Sequence, residues 1–156
     1  MFHRVMLLFA VAVGVLCVTA GSAAAQTVTA SLANGSASKG SSVKGSVMIS
    51  LPEGLHVNSN TPISEYAIPT KVTLSGEGLK VGRIEYPKGT IKKFQFSSEE
   101  LSVYEGDVVI PFTVKLAKDF QGKTFTLRAV VTYQACTDEV CYPPRDKELV
   151  MTATVK

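Results

Sequence analysis

What most constrains the fold of this chain is its punctuation. Short runs of alternating apolar residues are cut by Pro, Gly, Asn and Asp too often for a helix to develop. Val43, Val47, Ile49 and Leu51 belong to one run, which alternates over its second half and stops at Pro52-Glu53-Gly54. Leu55-His56-Val57 is a short strand ahead of a polar stop over residues 58–62. Residues 71–74 end at Gly76-Glu77-Gly78, residues 81–86 at Pro87-Lys88-Gly89, and residues 101–104 at Glu105-Gly106-Asp107. The longest strand candidates are 108–116 and 124–134, and 148–155 alternates as a last strand. Upstream, 27–32 reads as a first edge strand and 34–42 as a flexible loop. Helical spacing is nearly absent; residues 97–101 make one turn at most. Many short strands with closely spaced turn signals predict an all-β sandwich. Alternate residues of both sheets then fill its core, with Val109, Val114, Phe125, Leu127, Ala129 and Val131 as candidates.

The first residues do not belong to that pattern. His3 and Arg4 precede an apolar run over 6–18, and Ser22-Ala23-Ala24-Ala25 supplies small residues for cleavage. This is the signature of a secretory leader over residues 1–25, with Gln26 as the new N-terminus. The apolar run falls short of the ~20 residues of a membrane span. Cys17 follows a large residue, Leu16, which disfavours lipidation, so it is expected to be lost with the leader. Residues 26–156 are then one exported domain in an oxidising compartment where disulfides persist. A chain of this length can bury roughly two-thirds of its unfolded surface around one core. The net charge of +3 is carried by scattered lysines, which argues against nucleic acid or anionic lipid as a partner.

Export leaves two cysteines, Cys136 and Cys141, on either side of Thr137-Asp138-Glu139-Val140. If the flanking segments are hairpin arms, the even loop sets the two cysteines opposite each other. Facing Cα atoms lie about 4.5–5.5 Å apart, compatible with a disulfide. Pro143 and Pro144 cannot donate to a ladder, so the second arm belongs at an edge or ends its pairing there. Two readings stay open. As a staple, so short a loop contributes only about 2 kcal/mol, against about 4–5 for a loop of ~100 residues. As an exchange site, the pair has Asp138 and Glu139 beside it, which raise thiol pKa and reduce intrinsic nucleophilicity. Arg145 offsets that charge if it folds back. An oxidised pair can still be attacked by a partner's thiolate. Zinc is a poor alternative, because His56 is the one further candidate ligand. Ser/His/Asp hydrolysis has no nucleophile context. Copper handling lacks a Met/His cluster.

Tyr133-Gln134-Ala135-Cys136 with Cys141-Tyr142-Pro143-Pro144 resembles the active-site segment of the N-terminal periplasmic domain of the DsbD thiol:disulfide interchange family. Leu51-Pro52-Glu53-Gly54-Leu55-His56-Val57, Tyr86-Pro87-Lys88-Gly89 and Val108-Val109-Ile110-Pro111-Phe112-Thr113-Val114 are similar to other segments of that family, in the same order. The resemblance implies an immunoglobulin-like β-sandwich with an edge redox hairpin. It also implies that Cys141 forms mixed disulfides and Cys136 resolves them. A cap loop bearing a phenylalanine covers the family's cysteines; over residues 91–98, Phe96 is the best match and Phe94 the second. Their period-two spacing equally suits the core of a strand. Tyr133 and Tyr142 help shape the site by resemblance, or fill the sandwich rim. His56 falls near the site by resemblance; read from its sequence context it is a surface strand histidine.

The relatives commonly place one more residue between their cysteines than the four here. Full-length relatives also carry a membrane electron-transfer domain and a thioredoxin-like domain, so a separate protein is expected to recharge this one. The function expected is periplasmic thiol–disulfide exchange by a monomer without a cofactor. Electrons pass from a thioredoxin-like or membrane donor to oxidised exported proteins. The rival is a binding or accessory sandwich with a purely structural disulfide.

Overall fold

A computed structural model describes residues 25–156. The expected leader, Cys17 included, lies outside the described residues apart from Ala25. The strands are β1 (Thr27–Leu32), β2 (Ser36–Ala37), β3 (Ser42–Ser50), β4 (His56–Asn58), β5 (Lys71–Ser75) and β6 (Leu79–Ile84). They continue with β7 (Thr90–Lys93), β8 (Glu100–Glu105), β9 (Asp107–Leu116), β10 (Thr124–Tyr133), β11 (Ala135–Cys136) and β12 (Arg145–Val155). Three sheets result, in the orders β1-β3-β9-β6, β2-β12-β10-β5 and β11-β4-β8-β7. All pairings but the parallel β12–β2 contact are antiparallel.

The alternation read from the sequence does the packing. Val108, Ile110, Phe112, Val114 and Leu116 of β9 are all buried, as are Phe125, Leu127, Ala129, Val131 and Tyr133 of β10. With Val43, Val47 and Ile49 of β3 and Val72 and Leu74 of β5 they form one cluster. The third sheet adds Val57, Tyr104 and Ala135 to it. Its opposite face carries a separate cluster of Phe94, Leu101 and Val103. The arrangement is an all-β, immunoglobulin-like sandwich in which the third sheet has two apolar faces.

Several expectations shift. Val109 is 48% exposed; it lies an odd number of positions from Val114, and successive strand residues face opposite ways. Pro111 sits inside β9, which is not an edge strand. Its carbonyl accepts from Glu85 N–H, so its missing donor faces the same neighbour, β6, whose register slips between Val81 and Ile84. Ser36–Ala37 forms β2 within the expected loop. Around residues 97–101 there is a turn closed by Ser97 N–H to the Phe94 carbonyl, and then β8, rather than a helical turn. The last strand begins at Arg145, not at 148, because pairing resumes after the two prolines.

Candidate functional site

The two cysteines lie where the chain leaves one sheet for another. β10 ends at Tyr133, opposite Arg145 of β12. One residue later the chain enters the third sheet as β11. Tyr142 N–H donates to the Ala135 carbonyl, so Pro143 and Pro144 together face only Gln134. Two residues against one is a bulge, which bends the hairpin out of its sheet. The Gln134 side chain holds the bend by donating from Nε2 to the Tyr142 carbonyl at 3.1 Å. Beyond it Thr137 N–H donates to the Val140 carbonyl, and the Thr137 hydroxyl accepts the N–H groups of Glu139 and Val140.

Cys136 and Cys141 therefore occupy a non-hydrogen-bonded position between two bonded pairs, the position where facing Cα atoms come closest. Their Cα atoms are 4.0 Å apart and the sulfurs are joined by a 2.02 Å bond. The two sulfurs are not equivalent to a visitor. Cys136 is fully buried, at 0% exposure, whereas Cys141 is partly open. Cys141 lines a groove of about 350 Å³ together with Asn58, Tyr66, Phe96, Glu99 and Gln134.

β11 is the outer strand of the third sheet, and register places Cys136 opposite His56, which in turn faces Glu105 on β8. Facing residues share a face of a sheet, so Cys136, His56 and Glu105 form a row. Lys92 of β7 reaches the end of the row, its Nζ 2.6 Å from a Glu105 carboxylate oxygen. The chain after β7 folds over the row. The Phe94 ring stacks on His56 at a centroid distance of 4.1 Å, and Phe96 lies 5.4 Å from Phe94 and 6.3 Å from His56.

That cover corrects the surface reading of His56, which is only 1% exposed. Its Nε2 is the one buried side-chain nitrogen or oxygen among the described residues without a hydrogen-bond partner. Burial pushes its pKa below the ordinary 6.5; Glu105 and Asp138 pull it up, and Lys92 pushes it further down.

Of the residues singled out from sequence, Cys136, Cys141, His56, Phe94 and Phe96 come together. Phe94 is buried, while Phe96 is 38% exposed at the groove. Tyr133 and Tyr142 instead line a separate hollow with Gln26, Leu55 and Arg145. Tyr133 is buried in the sandwich and its hydroxyl accepts from Gln26 Nε2 at 3.2 Å. Arg145 lies at that hollow, opposite Tyr133, and the ion pairs among the described residues do not join it to Asp138 or Glu139. Glu105, Lys92, Asn58 and Tyr66 were not recognised in the sequence. Glu105 reads there as part of a turn and Asn58 as part of a polar stop; neither pattern signals a site. Among the described residues no group of three or more His, Cys, Asp or Glu is placed to hold a metal.

A family profile described as thiol:disulfide interchange protein DsbD, N-terminal, matches residues 24–153. The chain belongs to this family. Among solved structures, the N-terminal periplasmic domain of ScsB from Proteus mirabilis is similar in fold, with a TM-score of 0.56 and 20% identity over 80% of this chain. The chain spans 45% of that ScsB chain. The reduced N-terminal domain of DsbD from Neisseria meningitidis matches over 70% of this chain and 77% of its own, at 24% identity and a TM-score of 0.48. A comparison with curated proteins finds no match. The DsbD family is thus the one that the cysteine framing resembles, and the ScsB likeness bears on the sandwich alone. No helix among the described residues is long and apolar enough to cross a membrane.

Proposed function

We propose that this DsbD-family domain is an exported thiol–disulfide exchange module that carries two electrons on Cys136 and Cys141. A donor dithiol of the thioredoxin type attacks Cys141 and takes the disulfide. The reduced domain then attacks the disulfide of an oxidised exported protein through Cys141, and Cys136 resolves the mixed disulfide. Thiolate attack proceeds at whichever sulfur is accessible, and access differs between the two ends of the bond. The carrying observation is that difference: Cys141 opens into a groove and Cys136 is buried. Mixed disulfides then form at Cys141, with Cys136 held ready beneath it.

In this reading residues 94–98 are the cap. Phe96 stands over the groove at Cys141, and Phe94 anchors the cap on His56. Tyr66, 84% exposed at the same groove, meets the docked partner. Tyr133 and Tyr142 support the hairpin from its other side. The leader over 1–25 delivers the domain to the periplasm.

The test is the reduction potential of the pair, measured in graded glutathione buffers with the thiols trapped for a gel-shift readout. A potential above about −300 mV marks a labile pair; one well below it marks a structural bridge and ends the proposal. Cys136→Ser should then accumulate covalent complexes through Cys141 in the native compartment, and Cys136→Ser/Cys141→Ser should accumulate none.

A further inference from the structure

The sandwich explains why Cys136 is buried but not how a buried thiol becomes a nucleophile. Desolvation disfavours the thiolate, so a thiol in Cys136's position holds its proton. Resolution of a mixed disulfide requires that proton to leave.

We propose, resting on the exchange reading above, that His56 Nε2 accepts the proton of the Cys136 thiol and so drives the resolving step. Three observations converge on it. His56 and Cys136 are register partners on neighbouring strands, which puts their Cβ atoms about 4.5–5.5 Å apart on one face. His56 is buried beneath Phe94, so solvent does not supply an acceptor in its place. Its Nε2 has no partner while the cysteines are joined. A buried polar atom left unpaired is costly. The disulfide has no S–H to offer, and reduction creates one next door.

The step balances as follows. Cys141 thiolate attacks the client disulfide; a Cys141–client bond forms and the first client sulfur leaves as a thiolate. Cys136 S–H passes its proton to Nε2, and the freed electron pair attacks Cys141 Sγ. The Cys136–Cys141 bond forms, the Cys141–client bond breaks, and the second client sulfur leaves with its electron pair. The imidazolium returns its proton to that thiolate or to solvent. Two electrons move from the cysteine pair to the client.

Burial works against an imidazolium at His56, and nearby carboxylates offset part of that cost for a transient one. Glu105 faces His56 from β8 and Asp138 acts on it from the hairpin; Lys92 from β7 opposes them but is paired to Glu105. The covering segment contributes two uncharged rings, Phe94 and Phe96.

The first experiment leaves His56 in place. The chain has two histidines, His3 and His56; His3 is removed with the leader, so the exported domain gives the imidazole signals of His56 alone in NMR spectra. The His56 titration is followed in oxidised and reduced protein, and its midpoint should move on reduction. Identical titrations in both states overturn the role. The second follows reduced protein mixed with a chromogenic aromatic disulfide. Attack by Cys141 releases one coloured thiolate and resolution by Cys136 a second. His56→Gln should slow the second release by about 100-fold, within the range of general-base effects, and leave the first little changed. Second release at the parent rate sinks the role of His56 with exchange intact. No second release from the parent protein sinks the exchange reading, and this proposal with it.

Discussion

Phe94 and Phe96 stand two positions apart and sit in different surroundings. Phe94 packs with Leu101 and Val103 and against His56, whereas Phe96 lines the groove that reaches Cys141. Phe94→Ala should cost about 3 kcal/mol, the range for a buried phenylalanine, and Phe96→Ala less than about 1. Urea unfolding measures both. Small thiols should reduce the Phe96→Ala disulfide faster than the parent's; an unchanged rate would remove Phe96 from the cap. A second prediction concerns His56. Its folded pKa is depressed, so the unfolded chain binds the extra proton first as pH falls. Stability from this residue is complete above about 6.5 and declines as pH drops from there towards the lower folded value. Unfolding free energy measured at pH 7.5 and 5.0 should fall more in the parent than in His56→Gln; equal falls would contradict the burial effect. The cysteines stood out by their spacing, and the two phenylalanines by resemblance to a cap loop, since their period-two spacing suits a strand core as well. The resemblance put His56 near the site, but its burial stayed hidden, since the rings that cover it come from a segment almost forty residues later.

Elements were legible in proportion to their length. β9 and β10 repeat the in–out alternation five times each, and their bounds match the sequence reading closely. β2 and β11 have two residues each, less than one full alternation, so nothing in the pattern distinguishes them from loop. β7 was obscured for another reason: Thr90–Lys93 is exposed or half-buried throughout and carries no apolar face to read. The Pro87-Gly89 segment was read as a turn, but Gly89 is not among the glycines with positive φ. It is required by proximity: a Cβ there would lie 2.2 Å from Ser102 Oγ and 2.9 Å from Ser59 Cβ. Those serines join β8 to the chain after β4, with Ser59 Oγ donating to Ser102 Oγ at 2.8 Å. Gly89→Ala should therefore destabilise by about 1–3 kcal/mol, as overpacking does, and should speed amide exchange across β7 and β8. A loss under about 0.5 kcal/mol would mean that the serine pair yields without cost.

At the scale of the molecule, what matters is how little of the sandwich the redox bond touches. The large cluster is closed by residues of the first two sheets, with three side chains from the inner face of the third. The disulfide lies at the outer strand of that third sheet and links residues only five positions apart. Opening it releases a loop too short to add much entropy to the unfolded chain, about 2 kcal/mol in the chain-entropy account. An exchange module needs such an arrangement, because the same fold must survive both states to meet donor and client in turn. Reduced and oxidised protein should thus differ in unfolding free energy by about 2 kcal/mol. Amide exchange should stay slow in β9 and β10 in both states and quicken on reduction only in the hairpin over 134–144 and its neighbour β4. Matched urea curves with and without a reductant, read beside exchange profiles, measure both. A difference above about 4 kcal/mol, the range for loops of ~100 residues, or loss of protection in β9 would show that the fold leans on the bond, and would return the pair to the role of a staple.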